Sequence, residues 1–168
     1  FAGIVLDTKN FTMRTGARTF EAASYLRRNG ADNTTVKMMF QDDMQTYRNR
    51  AKVVENAIIM EQGIAISACP AGMEATNLIA AQAADELVNI KGIQASFVLA
   101  ETAGGINISG RSLGQVNVQL ILERIGGGGH LAVAGAQLKD ITMNEAVDKL
   151  TESIYSYLDE IGADYTRS

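Results

Sequence analysis

The sequence has one cysteine, one proline, one histidine and no tryptophan among its 168 residues. A single cysteine, Cys69, cannot form an internal disulfide, and its apolar neighbours predict a small buried side chain in a protein from a reducing compartment. Long hydrophobic runs are missing as well. A membrane helix needs ~18 uninterrupted apolar residues and a signal peptide needs a basic and then an apolar segment, so we expect no direct insertion of this stretch into a membrane.

Side-chain clusters that would hold a metal or activate water are also lacking. The sequence contains no DxD, DHH, HxxxH or CxxC motif, whereas a hydrolytic metal site needs several carboxylate or imidazole ligands. Asp42 and Asp43 are explained by the start of a helix, whose positive end favours carboxylates. Nothing in the context of the serine, histidine and aspartate residues supports a catalytic triad. The chain is therefore predicted to bind more than it catalyses.

An excess of basic residues is absent too. The 15 lysine and arginine residues stand against 19 aspartate and glutamate residues, which gives a net charge of −4. Proteins that follow long nucleic acids neutralise phosphates with a basic surface, so this balance argues against such a partner. A short ligand with few phosphates remains compatible with it.

The residues that are present predict one compact α/β or α+β domain, with a mixed β-sheet covered by helices. Apolar residues make up 46% and charged residues 20% of the chain, as in ordinary globular domains. Hydrophobic spacing predicts two hairpins, with strands at residues 57–60, 64–68, 93–100 and 106–109, and places Ile106 and Ile108 inward. Helical spacing and caps predict helices at 20–29, from Asp42, at 77–89, at 113–125 and from Thr142.

The first residues are interpreted as a buried strand from Gly3 to Leu6. Because the chain starts at Phe1 and runs directly into this segment, we expect a fragment of a longer protein. Asp7 then stands at the end of a hydrophobic strand, which is a usual place for a metal ligand in α/β enzymes. It has no visible partner ligands in the sequence.

The strongest functional feature is the run Gly126-Gly127-Gly128-Gly129-His130, which holds the single histidine. A helix end followed by a turn would need one or two glycines for positive φ. Four glycines leave consecutive backbone N–H groups uncovered, so an anionic oxygen can approach the main chain closely. The pattern indicates a phosphate or nucleotide site, with a purely structural loop as the alternative.

A second feature is Arg111-Ser112, where a strand ends and the predicted helix 113–125 begins. Arg111 offers a guanidinium fork for phosphate and Ser112 is the expected helix cap, while an ordinary surface arginine is the alternative. A helix of that length would hold the glycine run roughly 20 Å away. The two features would meet on one phosphate only if the chain folded back, and a ligand with two phosphates could bridge them instead.

At these residues the sequence resembles the DHH/DHHA1 phosphoesterase family, and most closely the bacterial cyclic-di-AMP phosphodiesterases of the GdpP type. Residues 1–32 resemble the end of a DHH domain with its linker, and residues 33–168 a DHHA1 substrate-binding domain. The similarity to DHHA1 is carried by four segments: Ala81–Asp85, Ala95–Val98, Ile108–Val118 and Gly126–His130.

The resemblance implies a role for each matching position. Asp7 corresponds to the last metal-binding aspartate of a DHH domain that holds manganese, while the residues expected to bind substrate are Arg111, Ser112, Gly127, Gly128, Gly129 and His130. In the intact, membrane-anchored enzyme, this cytoplasmic domain would grip cyclic-di-AMP while the DHH metals cleave it to linear pApA. The fragment alone is predicted to be inactive and to bind no manganese.

Three alternatives stay open at this point. The first is a DHHA1 domain from a nanoRNase or pAp-phosphatase enzyme, which acts on short linear nucleotides. The second is an RNA-binding DHHA1 module like that of alanyl-tRNA synthetase, which the net charge of −4 disfavours. In the third, the Ala-rich helix and the Met-containing faces form the interface of a homodimer.

Overall fold

The computed structural model describes residues 1–12, 15–60, 62–74 and 76–165. The chain divides into two compact units, one of residues 1–43 and one that begins at Met44. The first unit is helical and consists of α1 (Ala2–Asp7), α2 (Ala17–Arg28) and α3 (Asn33–Met39). The predicted boundary between residues 32 and 33 stays a prediction.

The strand predicted at Gly3 to Leu6 is wrong, because these residues form α1. Both the hydroxyl and the N–H of Thr8 donate to the main-chain oxygen of Ile4, at 2.7 and 3.0 Å. These are bonds of the helical i to i−4 type. A strand needs a neighbouring strand to pair with, and the described part of this unit contains none, so the apolar run satisfies its backbone locally.

Two caps set the limits of α2 and α3. The predicted stop after residue 29 is confirmed, since Gly30 has φ of +95° and Asn29 is the C-cap of α2. Helix α3 was not predicted from the sequence. It begins after Asp32, whose carboxylate accepts a hydrogen bond from the N–H of Thr35 at 2.8 Å. This bond holds the pKa of Asp32 below its ordinary value.

The second unit is a six-stranded sheet with helices on both faces, which confirms the predicted fold class. The strand order is β1-β2-β3-β4-β6-β5, in which only the β2–β3 pair is parallel. Its strands are β1 (Ile58–Ile59), β2 (Ile64–Ala68), β3 (Ala95–Thr102), β4 (Gly105–Ser112), β5 (Gly128–His130) and β6 (Val133–Leu138). Its helices are α4 (Met44–Glu55), α5 (Thr76–Leu87), α6 (Val118–Glu123) and α7 (Met143–Tyr165).

The two faces of the sheet bury separate cores. On the first face, α6 and α7 cover a cluster that includes Phe97, Leu99 and Ile154, all fully buried. On the second face, α4 and α5 cover a cluster around Val98 and Ile79. Strand β4 alternates strictly between the faces, and the predicted inward positions of Ile106 and Ile108 on the first face are confirmed.

The predicted helix over residues 113–125 is wrong at its beginning. Ser112 does not cap a helix but ends β4, and its N–H donates to the main-chain oxygen of Ala132 at 2.9 Å. Helix α6 begins after Asn117, whose side-chain oxygen accepts from the N–H groups of Gln119 and Leu120. The structure therefore replaces the first five predicted helical residues, 113–117, with a loop.

The last helix begins as predicted. Thr142 and Glu145 form a capping box, in which Glu145 accepts from the Thr142 N–H at 2.8 Å and Thr142 Oγ1 accepts from the Glu145 N–H at 3.3 Å. The carboxylate of Glu145 also accepts from the Thr142 hydroxyl at 2.7 Å, and the two bonds that it accepts from Thr142 lower its pKa. Although α7 is 23 residues long, neither it nor any other described helix is apolar enough over a sufficient length to span a bilayer.

Candidate nucleotide-binding site

Strand register brings Arg111 and His130 to the same face of the sheet. Arg111 in β4 lies directly opposite Val133 in β6, and Val133 lies directly opposite His130 in β5. Residues directly opposite each other in a ladder project to the same side. The two Cα atoms are therefore separated by two strand spacings, or about 10 Å, and both side chains can reach one anion above Val133.

This proximity corrects the expected separation of about 20 Å. Helix α6 has only six residues, and the chain after it folds back so that β5 lies beside β6. The turn between these strands is tied to both flanking elements. Ser112 donates to the main-chain oxygen of Ala132, while Val118 donates to that of Leu131 at 3.1 Å. These bonds fix the turn that follows His130 against the end of β4 and the start of α6.

The face that carries both side chains is open beyond β4. Helix α5 packs on β3 and β4, whereas α6 covers the opposite face of β6 and β5. Val133 is 45% exposed as a result. We call this open surface the shelf, and it is lined by Ser109, Arg111, Gly128, His130, Val133 and Gly135.

The guanidinium of Arg111 is held in place from two directions. Its Nε donates to Asp85 Oδ1 of α5 at 3.2 Å, and its Nη1 donates to the main-chain oxygen of Gly110 at 3.0 Å. The arginine side chain is 16% exposed and that of Asp85 35%. A guanidinium carries five N–H donors, so these two contacts orient the group and leave donors for a ligand.

Three of the four glycines in the run serve the fold itself. Gly126, in the turn that follows α6, has φ of +85°, a conformation that favours glycine. A Cβ at Gly127 would stand 2.5 Å from the main-chain oxygen of Gly135, and one at Gly129 would stand 2.5 Å from the Cα of Ala134. Both positions exclude side chains because β5 lies so close to β6.

Gly128 has no such structural requirement. A Cβ at this position would meet no described atom within 4 Å, and its φ lies outside the left-handed region. It faces Gly135 across the ladder, and Gly135 faces Ser109 in β4. Three small residues thus cross the shelf in one row, next to the row of Arg111 and His130. The row forms a flat floor on which a planar group can lie.

Ser112 is not brought to the shelf with Arg111. Its side chain is buried on the opposite face, and its Oγ accepts a hydrogen bond from the N–H of Gly114 at 2.9 Å. Residues 110–114 spell GxSxG, a pattern that marks an exposed nucleophilic serine when a strand turns directly into a helix. Here a loop follows the strand and the serine is 8% exposed, so the pattern has no catalytic geometry.

Asp7 ends α1 and is exposed. The described residues contain no group of three or more histidine, cysteine, aspartate and glutamate side chains that could hold a metal ion. Asp7 with its described neighbours therefore does not form a manganese site, and we derive no catalytic step through this metal.

A cleft of about 570 Å³ lies away from the shelf, between α6, α7 and the end of β6. Its main cation, Arg124, is already paired with Glu160, with Nη1 to Oε1 at 3.0 Å. That pair raises the pKa of Arg124 and lowers the pKa of Glu160. Arg124 donates from both of its Nη groups to Glu160, whereas Arg111 donates to Asp85 only from its Nε, so the shelf presents the better anion site.

A six-stranded mixed sheet covered by helices defines an α/β domain, and its glycine-and-arginine face is open. Residues 61–160 match the DHHA1 domain, and the chain belongs to this family. It is 50% identical over 159 residues to the cyclic-di-AMP phosphodiesterase GdpP of Geobacillus thermodenitrificans, covering 94% of this chain. It is also 50% identical over 157 residues to the cyclic-di-AMP phosphodiesterase PdeA of Listeria monocytogenes, covering 93% of this chain. The resemblance noted in the sequence is confirmed.

The chain spans 24% of the length of each of these two relatives. Among solved structures, an exopolyphosphatase-related protein from Bacteroides fragilis superimposes with a TM-score of 0.80 at 22% identity. That match covers 92% of this chain and 48% of the other. It supports the fold independently of sequence similarity.

Proposed function

We propose that the chain is the substrate-recognition domain of a bacterial cyclic-di-AMP phosphodiesterase. The observation that carries the proposal is the shelf, on which Arg111 and His130 flank one anion position beside a floor of small residues. The names of the two relatives at 50% identity supply the ligand class. A dinucleotide fits this surface because it combines phosphates with flat bases.

Each predicted binding residue receives a distinct role in this proposal. Arg111 donates its remaining N–H groups to a phosphate oxygen, and the His130 ring donates from the other side. Gly128 lets the ligand approach the main chain, while Gly127 and Gly129 allow β5 to lie against β6. Ser112 shapes the loop after β4 through its bond from Gly114.

Hydrolysis itself is proposed for the longer protein. A DHH domain outside this sequence would hold manganese, with Asp7 as one ligand, and would convert cyclic-di-AMP to pApA. We further propose that the longer protein is anchored in the cell membrane with this domain in the cytoplasm, and that the 168-residue chain alone does not hydrolyse the dinucleotide.

Calorimetric titration of cyclic-di-AMP into the chain tests the recognition role. Arg111→Ala and His130→Ala should each weaken binding by about tenfold or more, since a charge-assisted hydrogen bond contributes about 1.5–3 kcal/mol. Arg124→Ala is the matched control, because this arginine lies on the other side of the sheet, and it should bind like wild type. Equal affinities in all four proteins would refute the proposed site. Release of pApA by the chain with manganese would refute its inactivity.

A further inference from the structure

An acidic residue, Asp85, lies beside the guanidinium that is proposed to bind phosphate. The carboxylate of Asp85 lies 3.2 Å from Arg111 Nε, and both side chains are partly shielded from solvent. Screening by water and salt is weaker for such a pair than for exposed charges. A phosphate bound by Arg111 therefore lies within the field of a negative charge as well as a positive one.

The pair of Arg111 and Asp85 affects the binding of phosphodiesters and of phosphomonoesters differently, because the two groups differ in charge. A phosphodiester carries one negative charge, whereas a terminal phosphomonoester carries close to two at neutral pH. A second negative charge on the ligand doubles its attraction to Arg111 but also doubles its repulsion from Asp85. A site with a lone arginine would favour the monoester, and the balanced pair removes that advantage.

We propose that Asp85 is a specificity-determining residue that makes the shelf prefer phosphodiesters over terminal phosphomonoesters. The inference rests on the proposed dinucleotide-binding function and extends it to a ligand class. Cyclic-di-AMP contains only phosphodiesters, whereas pApA has a terminal monoester. The same carboxylate that orients Arg111 thus favours the cyclic substrate over its linear product and promotes product release.

Replacement of Asp85 by asparagine tests the effect of the negative charge apart from the effect of the hydrogen bond that orients Arg111. The amide oxygen of asparagine can still accept from Arg111 Nε, so the guanidinium keeps its orientation while the negative charge is lost. The probes are AMP and its phosphate methyl ester, which differ in one ester group and about one unit of charge at about pH 8. Each competes with bound cyclic-di-AMP in a calorimetric titration.

In wild type, the methyl ester should bind at least as tightly as AMP. In Asp85→Asn, the affinity for AMP relative to the ester should rise roughly threefold to tenfold, as expected for one charge a few ångströms away at intermediate dielectric. Glu86→Gln is the matched control, since Glu86 is the next residue of α5 but pairs with Arg50 at 3.0 Å. Its ligand ratio should equal that of wild type.

The outcomes separate the two proposals. Failure of cyclic-di-AMP to bind wild type would overturn the proposed function and this inference with it. Binding of cyclic-di-AMP with the same AMP-to-ester ratio in wild type and Asp85→Asn would overturn the inference alone. So would the failure of both mononucleotides to compete, because a single phosphate would then not occupy the position beside Arg111.

Discussion

The phenolic oxygen of Tyr157 accepts a hydrogen bond from the main-chain N–H of Asn117 at 2.8 Å. Tyr157 belongs to the long helix α7, and Asn117 caps the short helix α6, which precedes β5 in the chain. Ser153, one turn earlier on α7, donates to the main-chain oxygen of Ile121 at 2.6 Å. Helix α7 therefore positions α6 through polar contacts as well as through the shared core.

Removal of the phenolic hydroxyl should loosen the start of α6. We expect Tyr157→Phe to lower the free energy of unfolding by about 1–2 kcal/mol, because the Asn117 N–H loses its acceptor in a half-buried position. Denaturant titration measures the change. Tyr155→Phe is the control, since Tyr155 lies on the same helix and is 52% exposed. Equal losses in both variants would contradict a specific role for the bond.

The glycine run should separate into structural and ligand-facing positions. Gly129→Ala should destabilise the chain by about 2–3 kcal/mol, because its Cβ overlaps the backbone of β6. Gly128→Ala should change stability by no more than about 0.5 kcal/mol and yet weaken cyclic-di-AMP binding. Thermal unfolding and calorimetry on both variants check the division. A strongly destabilised Gly128→Ala protein would show that the fold, too, requires this glycine.

The capping box of α7 should make stability sensitive to acid. The Thr142 hydrogen bonds hold the pKa of Glu145 below its ordinary value of 4.5. Ionised Glu145 therefore stabilises the fold above about pH 4.5, and this contribution is lost as the pH falls through the lowered value. We expect the stability difference between wild type and Glu145→Gln to be constant near neutral pH and to shrink in acid.

The hydroxyl of the same cap can be tested at neutral pH. Thr142→Ala should cost about 1 kcal/mol, and Thr142→Ser, which keeps the hydroxyl, should restore most of it. Chemical denaturation of the three proteins measures both values. If serine and alanine are equally destabilising, the methyl group of Thr142 matters and the cap does not.

Cys69 should be inert in the folded chain. Burial raises the pKa of its thiol to about 11, so the reactive thiolate is scarce at neutral pH. Alkylation by iodoacetamide at about pH 8 should be on the order of a hundredfold slower than for an unperturbed thiol. Mass spectrometry of native and urea-unfolded samples measures the ratio. Comparable rates in both states would contradict the burial of this side chain.

Local signals in the sequence were sufficient for some elements and misleading for others. The start of α7 was predictable because Thr142 and Glu145 interact within one turn. Ser112 and Gln115 show the same spacing, but Ser112 is retained in β4 by pairing with strands that lie far away in sequence. No local pattern reveals those partners. Strand β6, with its small residues between Val133 and Leu138, carried no recognisable alternation and was missed.

Most residues of the candidate site could be predicted from the sequence, but their arrangement in space could not. Arg111, His130 and the glycines stood out by residue type, while Asp85 appeared only as part of a family segment. Its contact with Arg111 joins α5 to β4 across 26 residues of chain, which spacing alone cannot show. Ser112 directly follows Arg111 in β4, so its side chain projects to the opposite face of the sheet and lies away from the shelf.

The strand order has a consequence for how the recognition surface comes into existence during folding. Arg111 and His130 belong to strands that never pair with each other, and β6 joins them only after the chain has already passed through β5. The anion position is therefore absent from any intermediate in which β6 has not docked, however complete the β2–β3–β4 core is. Because β6 is the last of the six strands in the chain, the proposed anion position is completed only when this strand docks.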